Sequence, residues 1–583
     1  MMHHRFTGAA LVIASLSIGV AVPGALAQGT GQGTAQEAAP ASTLHIMIAP
    51  GRPDAAQHIP YVDVTIRADN MHLAAGQRLF RLPLVANTVV TSGGDLSGLA
   101  LNDDAGTIAI RTEDVAEDGS NRTRFWLTPR AIDGAVTARY RVPIDAAAPP
   151  LSLPQYEMRT ELGGFSAAGN AFLMLPADEA KRAVDVQWDF SAYGADGRGV
   201  SSFGVGDARS SGPLPSQQVA STYYMAGRPG VYHAEKGGFF AAWQGAPSFP
   251  MEGLMKWAAD LQRFYGTFFG YAPDHFGVFG RTNVRNPGSG IGLTDSFAFT
   301  FNAASKPEEL RSLLAHEMLH SWVRSLDESM DEAGGLDRSW FGEGLAVHYQ
   351  RLLPYRAGLI SADDFLADLN ETAGRYYTNI KINLPNTEIA EGFWRDTRIR
   401  VLPYDRGSLY FASVDAQIRR ESHGKRSLDD LVRAMLDARR AGQAMNEAMW
   451  RSLLRKELGA KGIADFEAML AGATVLPPSD AFGPDFRRTS KMLRRFDLGF
   501  DPASLKANPR AVSGLVPGSN AEKAGLRNGD IVLNTFSQDR MQGDQSAVLL
   551  LKVKRGEEEL EIRYLPRGEE VSAWQWERVA PGG

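Results

Sequence analysis

The stretch Leu313-Leu-Ala-His-Glu-Met-Leu-His-Ser-Trp322 contains the pattern His316-Glu317-x-x-His320. Apolar side chains recur around it at three- and four-residue spacing, which predicts a helix that contains both histidines. Residues four apart lie on one face of a helix, so two imidazoles at this spacing can bind one zinc ion, with Glu317 beside it. The chain has only 11 histidines in 583 residues. The alternative is a helix whose histidines merely pack or face water.

A second helical pattern, Trp340-Phe-Gly-Glu-Gly-Leu-Ala-Val-His-Tyr349, contains a candidate third ligand. Two antiparallel helices joined by a short loop could present His316, His320 and Glu343 to one ion. Two histidines and one glutamate leave a fourth coordination position for water, which is the catalytic arrangement for zinc. The alternative for Glu343 is a carboxylate near a helix N-terminus that interacts only with the helix dipole.

The neighbours of Glu343 favour the ligand role. Gly342 and Gly344 flank it, and glycines at these positions would let two backbones approach closely. His348 follows just over one helical turn later, and we predict that it is structural and not a ligand.

The pattern His-Glu-x-x-His followed by Trp-Phe-x-Glu-Gly resembles the gluzincin metallopeptidases and is most similar to the glycyl aminopeptidase family. The resemblance implies a thermolysin-like catalytic domain, one Zn²⁺ ion, a peptide substrate and Glu317 as the catalytic base. Pro403-Tyr404-Asp405-Arg406-Gly407 resembles the Tyr-x-Lys-Gly segment of that family. There the tyrosine hydroxyl donates to the developing oxyanion, which implies this role for Tyr404. Arginine in place of lysine keeps the charge but not the geometry.

The sequence departs from the family at the segment expected to hold the substrate. Where the family has Gly-Gly-Leu-Glu-His, this chain supplies Gly292, Leu293, Thr294 and Asp295 as substrate-binding candidates. Thr294 stands where a glutamate would hold a free amino terminus, and Asp295 is a substitute with a shorter reach. The family resemblance implies an aminopeptidase that favours small N-terminal residues. The missing glutamate favours the alternative, an endopeptidase or a tail-recognising peptidase that needs no free amine.

The composition is that of an ordinary globular protein, with 44% hydrophobic residues, 22% charged residues and a formal charge of −6. This charge gives no reason to expect nucleic acid or an anionic membrane surface as a partner. The chain has no cysteine, so it forms no disulfide and carries no lipid-modified cysteine.

Residues 1–27 are predicted to be a secretory signal peptide, with a basic start, an apolar run and an Ala25-Leu-Ala27 cleavage site. The apolar run is shorter than the ~20 residues of a membrane-spanning helix, and no later stretch is apolar enough to span. We therefore expect a protein exported to the bacterial periplasm or secreted, with no membrane span in the mature chain.

The remaining patterns predict a multidomain α+β chain. Apolar residues that alternate with polar ones, such as Leu44, Ile46 and Ile48, predict strands near the start, whereas helical periodicity predominates after Tyr349. The predicted organisation is a signal peptide (1–27), a flexible leader (28–42), an N-terminal all-β domain (43–155), a thermolysin-like catalytic domain (156–355), a helical domain (356–478) and a PDZ domain (485–570).

The run from Val512 to Val532 resembles a PDZ domain of the bacterial protease type, and Leu498, Gly499 and Phe500 resemble its carboxylate-binding loop. Such a loop can hold a peptide C-terminus while the peptide adds a strand to the sheet edge. The alternative is a PDZ domain that only packs against the catalytic domain. Two wider alternatives are a non-catalytic PDZ-containing binding protein and a different divalent ion in the metal site.

Overall fold

The structure is a computed structural model that describes residues 12–13, 42–86, 89–116, 121–146, 157–284, 286–327 and 335–579. Apart from residues 12–13 and 42, the predicted signal peptide and leader lie outside the described residues. Residue contacts divide the chain into a first unit, Ile13–Lys306, and a second unit that begins at Pro307. Each helix of the described part is too short or too polar to cross a membrane.

The first unit is mostly β-structure, and its described residues include two α-helices, α1 (Ser216–Ala220) and α2 (Met251–Phe269). Its strands, listed with the short strand that precedes them, are β1 (Val12–Ile13), β2 (Thr43–Pro50), β3 (Tyr61–Leu73), β4 (Arg78–Ala86), β5 (Val89–Val90), β6 (Ser97–Asp103), β7 (Gly106–Ile108), β8 (Arg111–Ala116), β9 (Arg122–Leu127), β10 (Ile132–Pro143), β11 (Arg159–Glu161), β12 (Gly164–Ala168), β13 (Leu175–Pro176), β14 (Ala183–Trp188), β15 (Arg198–Ser201), β16 (Gly204–Val205), β17 (Ala208–Arg209), β18 (Tyr223–Gly227), β19 (Gly230–His233), β20 (Phe239–Gln244), β21 (Phe276–Thr282), β22 (Ser289–Leu293) and β23 (Ser296–Phe301).

Two sheets enclose the first core of this unit. One has the strand order β17-β14-β2-β3-β10-β6-β7, and the other has the order β13-β4-β9-β8, with β5 paired to β4. In β2 the side chains of Leu44, Ile46 and Ile48 are buried and alternate with more exposed neighbours, as the sequence pattern predicts. The all-β character predicted for the N-terminal domain is therefore confirmed, but its sheet and core also include β14 and β17, which lie beyond the predicted boundary at residue 155.

Two further sheets follow, with the orders β11-β12-β18-β15-β16 and β1-β22-β23-β21-β20-β19. Strands β20, β21 and β23 run parallel, and α2 forms the crossover between the first two of them. The apolar run at residues 171–175 is not a continuous strand, because a 3₁₀ turn at Gly169–Ala171 is followed only by the short β13. Every residue from 164 to 176 is buried, so the segment shows no alternation that could tell a strand from a buried turn.

The second unit begins with helices and ends with a small β-rich module. Its helices are α3 (Pro307–Leu319), α4 (Ser339–Arg356), α5 (Ala362–Tyr377), α6 (Ile389–Gly392), α7 (Thr397–Arg400), α8 (Leu402–Glu421), α9 (Leu428–Arg440), α10 (Glu447–Leu470, interrupted at Gly459), α11 (Asn520–Lys523) and α12 (Gln538–Gly543). Its strands are β24 (Phe486–Phe496), β25 (Ile531–Val532), β26 (Leu549–Arg555), β27 (Glu558–Tyr564) and β28 (Arg567–Arg578).

An aromatic cluster holds the helices of the second unit together and confirms the predicted helical domain. Trp340 of α4 stacks on Phe411 of α8 with 5.8 Å between ring centroids, and both contact the buried Trp450 of α10. Large buried aromatic rings contribute much of the hydrophobic stabilisation of such a core. Helix α8 begins at Leu402 and thereby includes Tyr404.

Residues 486–579 form what we call the C-terminal module. It combines an antiparallel ribbon, β24 with β28, and the three-stranded sheet β25-β26-β27. Its core includes Leu498 and Phe500. The module packs on α5, where the side-chain amide of Asn370 donates to the carbonyl of Trp576 and accepts from the amide of the same residue.

Glu371, the next residue of α5, lies against Gly543 of α12, and burial raises its pKa to about 7. Arg375 opposes this shift, and three nearby carboxylates add to it: Asp368, Asp544 and Asp405. Because the folded protein holds this proton more tightly than the unfolded chain, the associated stability is present at low pH and is lost as pH rises through 7. At pH 8 we expect Glu371→Gln to unfold at a temperature a few degrees above that of the wild type. The corresponding gain in the free energy of unfolding is about 3 kcal/mol at most.

Calorimetric scans at pH 4 and pH 8 measure this difference. Near pH 4, below the ordinary glutamate pKa of 4.5, the two proteins should unfold at nearly the same temperature. A gap of equal size at both pH values would show that the glutamine acts by packing and not by removing a titratable group. Glu569→Gln, an exposed position in the C-terminal module, is the matched control.

Candidate metal centre

The metal motif lies at the C-terminal end of α3. His316 and Glu317 are inside the helix, but the helix ends at Leu319, so the prediction that both histidines lie inside it is wrong for His320. The amide of His320 donates to the carbonyl of Glu317 at 3.3 Å, which is the tighter i→i−3 turn common at helix ends. The turn keeps the imidazoles one helical turn apart, so their rings still meet, with 4.9 Å between centroids.

Three side-chain atoms converge in the second unit. The Nε2 atom of His316 lies 3.1 Å from Oε2 of Glu343 and 3.3 Å from Nε2 of His320. The distance between Nε2 of His320 and Oε2 of Glu343 is 3.7 Å. A tetrahedral zinc ion with bonds of about 2.0–2.1 Å requires ligand atoms about 3.3 Å apart. The triangle therefore fits zinc. Across the described residues it is the one group of three such ligand side chains close enough to share an ion.

Hydrogen bonds on the far side of each ring set the tautomers. The Nδ1 atom of His316 lies 2.9 Å from Oε1 of Gln350, whose Nε2 donates to Asp368. Since the amide oxygen can only accept, His316 carries its proton on Nδ1. The Nδ1 atom of His320 likewise donates to the carbonyl of Val323 at 3.1 Å. The Nε2 lone pairs of the two histidines thus point at each other and at the carboxylate of Glu343. These electron-rich groups repel one another, and a cation between them would remove the repulsion.

The electrostatics of the ligand side chains agree with this need. Burial acts to lower the pKa of His320, but the charge of Glu343 and its hydrogen bond outweigh burial and raise it. Burial acts to raise the pKa of Glu343, but the two imidazoles outweigh burial and lower it. Both shifts favour a negative carboxylate beside a positive charge, and a divalent ion at the same place would satisfy all three groups.

Glu317 is the fourth polar group of the centre and is 2% exposed. Both of its carboxylate oxygens lack a hydrogen-bond partner among the described residues. Burial raises the pKa of this carboxyl, His316 and His320 lower it, and Glu343 raises it further. A buried carboxylate without a protein partner is costly unless it serves a reacting group, so it is suited to accept a proton from a bound water.

A glycine contact brings Tyr404 beside the imidazole of His316. A β-carbon at Gly344 would lie 2.6 Å from the Cα atom of Gly407, so only glycine permits this crossing of α4 and α8. Gly344 follows the ligand Glu343, and Gly407 lies three residues after Tyr404. The crossing places the Tyr404 ring 6.4 Å from the His316 ring, with 23° between their planes. This is the close backbone approach that the Gly-Glu-Gly pattern predicts.

Two other residues of the motif segments have structural contacts. Arg406 is buried and donates to the side chain of Asn386 and to the carbonyls of Ile382 and Leu384, so its guanidinium holds a loop. Burial and nearby arginines lower the pKa of His348 well below its usual range, which keeps this buried imidazole neutral and outside the ligand triangle.

The predicted substrate residues belong to the first unit. Gly292 and Leu293 end β22, and Thr294 and Asp295 form the turn into β23. The hydroxyl of Thr294 donates to the carbonyl of Gln218 at 2.8 Å, so it is already engaged. The carboxylate of Asp295 is partly exposed, and one of its oxygens lies 3.8 Å from Nε2 of His275.

The predicted carboxylate loop lies in the C-terminal module. Leu498 and Phe500 point into its core, and Gly499 has a φ of +75°. A β-carbon at Gly499 would lie 2.8 Å from the hydroxyl oxygen of Ser519, so both the backbone angle and the space require glycine.

The sequence pattern did not identify the residues that orient His316. Gln350 lies seven residues after Glu343, on the same face of α4, and its side-chain amide donates to Asp368.

We expect Gln350→Leu to weaken zinc binding about 10- to 100-fold, because the imidazole of His316 loses the partner that sets its tautomer. Competition with a chromogenic chelator measures this affinity. Gln417→Leu is the control, and equal affinities for wild type and Gln350→Leu would contradict the role.

The centre can be compared with known proteins. A family model described as M61 glycyl aminopeptidase matches residues 309–388. None of the curated sequences searched matches the chain. An aminopeptidase N family protein from Idiomarina loihiensis is similar in structure, at 14% identity over 92% of this chain and 98% of that chain, with a TM-score of 0.64. An M1 zinc metallopeptidase variant from Deinococcus radiodurans, bound to a Tyr-Ser-Ala substrate, has 15% identity, coverage of 75% and 96%, and a TM-score of 0.44.

The likeness to the Idiomarina protein shows a shared fold. The family match covers the three residues whose ligand atoms converge, and their spacing fits zinc. On these grounds the chain is a zinc metallopeptidase of the aminopeptidase-like type, with His316, His320 and Glu343 as its candidate zinc-binding group.

Proposed function

We propose that the protein is an exported aminopeptidase that removes small N-terminal residues from peptides. The observation that carries the proposal is the convergence of His316, His320 and Glu343 beside the buried carboxylate of Glu317, which has no hydrogen-bond partner in the part of the chain that the structure describes. The description of the matched family as a glycyl aminopeptidase favours small residues at the cleaved end.

Zinc held by the three ligands would polarise the peptide carbonyl and acidify a water molecule. Glu317 removes the proton from that water as it attacks the carbonyl carbon, and then delivers the proton to the leaving amine. The hydroxyl of Tyr404 donates to the carbonyl oxygen as negative charge develops there, a contribution that is worth roughly 3–4 kcal/mol for comparable donors.

Chromogenic amides of single amino acids test this proposal. We expect glycine and alanine amides to be cleaved at least tenfold faster than the phenylalanine amide, and N-acetylation to abolish cleavage. Equal cleavage of free and N-acetylated peptides would rule out an aminopeptidase. Glu317→Gln, assayed in parallel, separates cleavage by this site from cleavage by a contaminant.

An endopeptidase is the second candidate, and Thr294 favours it. A glutamate at this position would hold a free amine, whereas the Thr294 hydroxyl already donates to the carbonyl of Gln218. Asp295 is the remaining carboxylate of the segment. If Asp295 binds the substrate amine, Asp295→Asn should raise KM for free-amine peptides and leave cleavage of acetylated peptides unchanged. An unchanged KM, together with cleavage of acetylated peptides, would favour the endopeptidase.

Export is the third element of the proposal. It is supported by the sequence pattern of residues 1–27, which has a basic start, an apolar run and an Ala25-Leu-Ala27 cleavage site. We expect a mature N-terminus at Gln28 in the periplasmic fraction of a Gram-negative host. An intact Met1 in the cytoplasm would contradict export.

We also propose that residues 485–570 have a PDZ fold, on the basis of the run from Val512 to Val532 and the special backbone of Gly499. If its loop binds a peptide C-terminus, the full chain should bind a free-carboxylate peptide more tightly than the same peptide amidated. Equal affinities in a fluorescence titration would contradict this ligand.

A further inference from the structure

The C-terminal module makes one contact that leads toward the metal centre. Helix α12 buries two polar side chains, Asp539 and Gln542, against α7. Arg400 donates to both carboxylate oxygens of Asp539, at 2.9 Å each through Nη2, and adds a bond of 3.2 Å from Nε. The hydroxyl of Thr397 donates to the same carboxylate, and Gln542 donates to that hydroxyl at 2.9 Å.

Arg400 keeps its charge in this buried pair. Burial acts to lower the pKa of Arg400, but the charge and hydrogen bonds of Asp539 outweigh burial and raise it, and Tyr404 adds to the rise. A buried pair of this kind is geometrically demanding, because removing one member leaves the other charge without compensation. The pair therefore sets the position of α7 within narrow limits.

Helix α7 leads directly into the helix that carries Tyr404. The amide of Val401 donates to the carbonyl of Thr397, and the amide of Asp405 donates to the carbonyl of Val401, so two backbone hydrogen bonds link α7 to α8 through Val401. Arg400 lies four residues before Tyr404, which is about one helical turn. The Tyr404 ring in turn faces the ring of His316.

We propose that Asp539 is a positioning residue: through Arg400 it holds Tyr404 in place, so the C-terminal module takes part in turnover. This inference rests on the oxyanion role proposed for Tyr404. It goes beyond peptide-tail recognition, since it gives the module a role that needs no ligand.

Other contacts of the module supply a matched control. Asn370 makes hydrogen bonds to both backbone groups of Trp576 and so joins the module to α5, away from the α7–α8 segment. If the module matters only because it is attached to the helices of the second unit, loss of the Asn370 contacts should lower turnover as much as loss of Asp539 does. If Asp539 acts through Tyr404, the two variants should differ.

The test is a double-mutant cycle on the full-length zinc enzyme. We expect Asp539→Ala to lower kcat at least tenfold, with KM within twofold and zinc content unchanged. The same substitution in the Tyr404→Phe background should lower kcat less than twofold further, because the group that Asp539 positions is already absent. Asn370→Ala should keep kcat within twofold of the wild type. Asp539→Asn, which keeps the volume, serves if the alanine variant does not fold.

Each outcome is decisive. Equal losses in the two backgrounds, an equal loss for Asn370→Ala, or no loss for Asp539→Ala or Asp539→Asn would overturn the positioning role. Exchange of the charges, Asp539→Arg with Arg400→Asp, should recover part of kcat if the ion pair is the active feature. Full activity of Tyr404→Phe alone would refute the oxyanion role itself, which distinguishes failure of the proposed mechanism from failure of this inference.

Discussion

Glu317→Gln is expected to lower kcat by at least about a thousandfold while zinc stays bound. The glutamine has nearly the same shape as the glutamate but cannot accept a proton from water. The wild-type carboxylate is buried, has no hydrogen-bond partner among the described residues and lies beside the ligand triangle. The substitution therefore removes the base and leaves the three metal ligands in place.

Single-turnover assays with metal analysis by mass spectrometry check this expectation. Glu308→Gln is the matched control, because it makes the same chemical change at an exposed position of α3. The control should retain wild-type kcat. A Glu317→Gln variant with one zinc per chain and near-native turnover would mean that another group takes the proton.

Removal of the metal is expected to abolish hydrolysis entirely and to lower the unfolding temperature by several degrees. Without a cation, two imidazole lone pairs and the carboxylate of Glu343 face one another at 3.1–3.7 Å. A ligand that binds only the folded state at a thousand times its Kd stabilises it by about 4 kcal/mol.

Dialysis against a chelator, followed by addition of one equivalent of zinc, measures both effects. Zinc should restore activity and the unfolding temperature together. Magnesium should restore neither, since two imidazoles and one carboxylate suit zinc better than a hard cation that prefers oxygen ligands. Activity that survives complete loss of the metal would contradict zinc-dependent hydrolysis.

The local parts of the centre could be predicted from the sequence. The spacing of His316 and His320 brings their rings together because one helical turn is a short-range property of the backbone. The same reasoning missed that α3 ends at Leu319, since the final turn tightens to an i→i−3 hydrogen bond that propensity alone does not reveal.

Contacts between segments far apart in the chain could be predicted less well from the sequence. Glu343 was identified from its Gly-Glu-Gly context, and Tyr404 only from family resemblance. Their approach to His316 depends on the contact of Gly344 with Gly407, where two helix backbones meet without side chains. No sequence motif includes Gln350, Asp368 or Asp539, so only the folded chain identifies them as partners of the centre.

The sequence by itself determined that this protein has a two-histidine, one-glutamate zinc motif, a β-rich start and a helical region after it, because hydrophobic period and helical spacing are encoded over a few residues. The tertiary structure decided which way the imidazoles face, where Tyr404 lies and what the C-terminal module contacts. Those features arise when helices far apart in the chain pack together, and the fit of their side chains is set by the whole fold and not by any one segment.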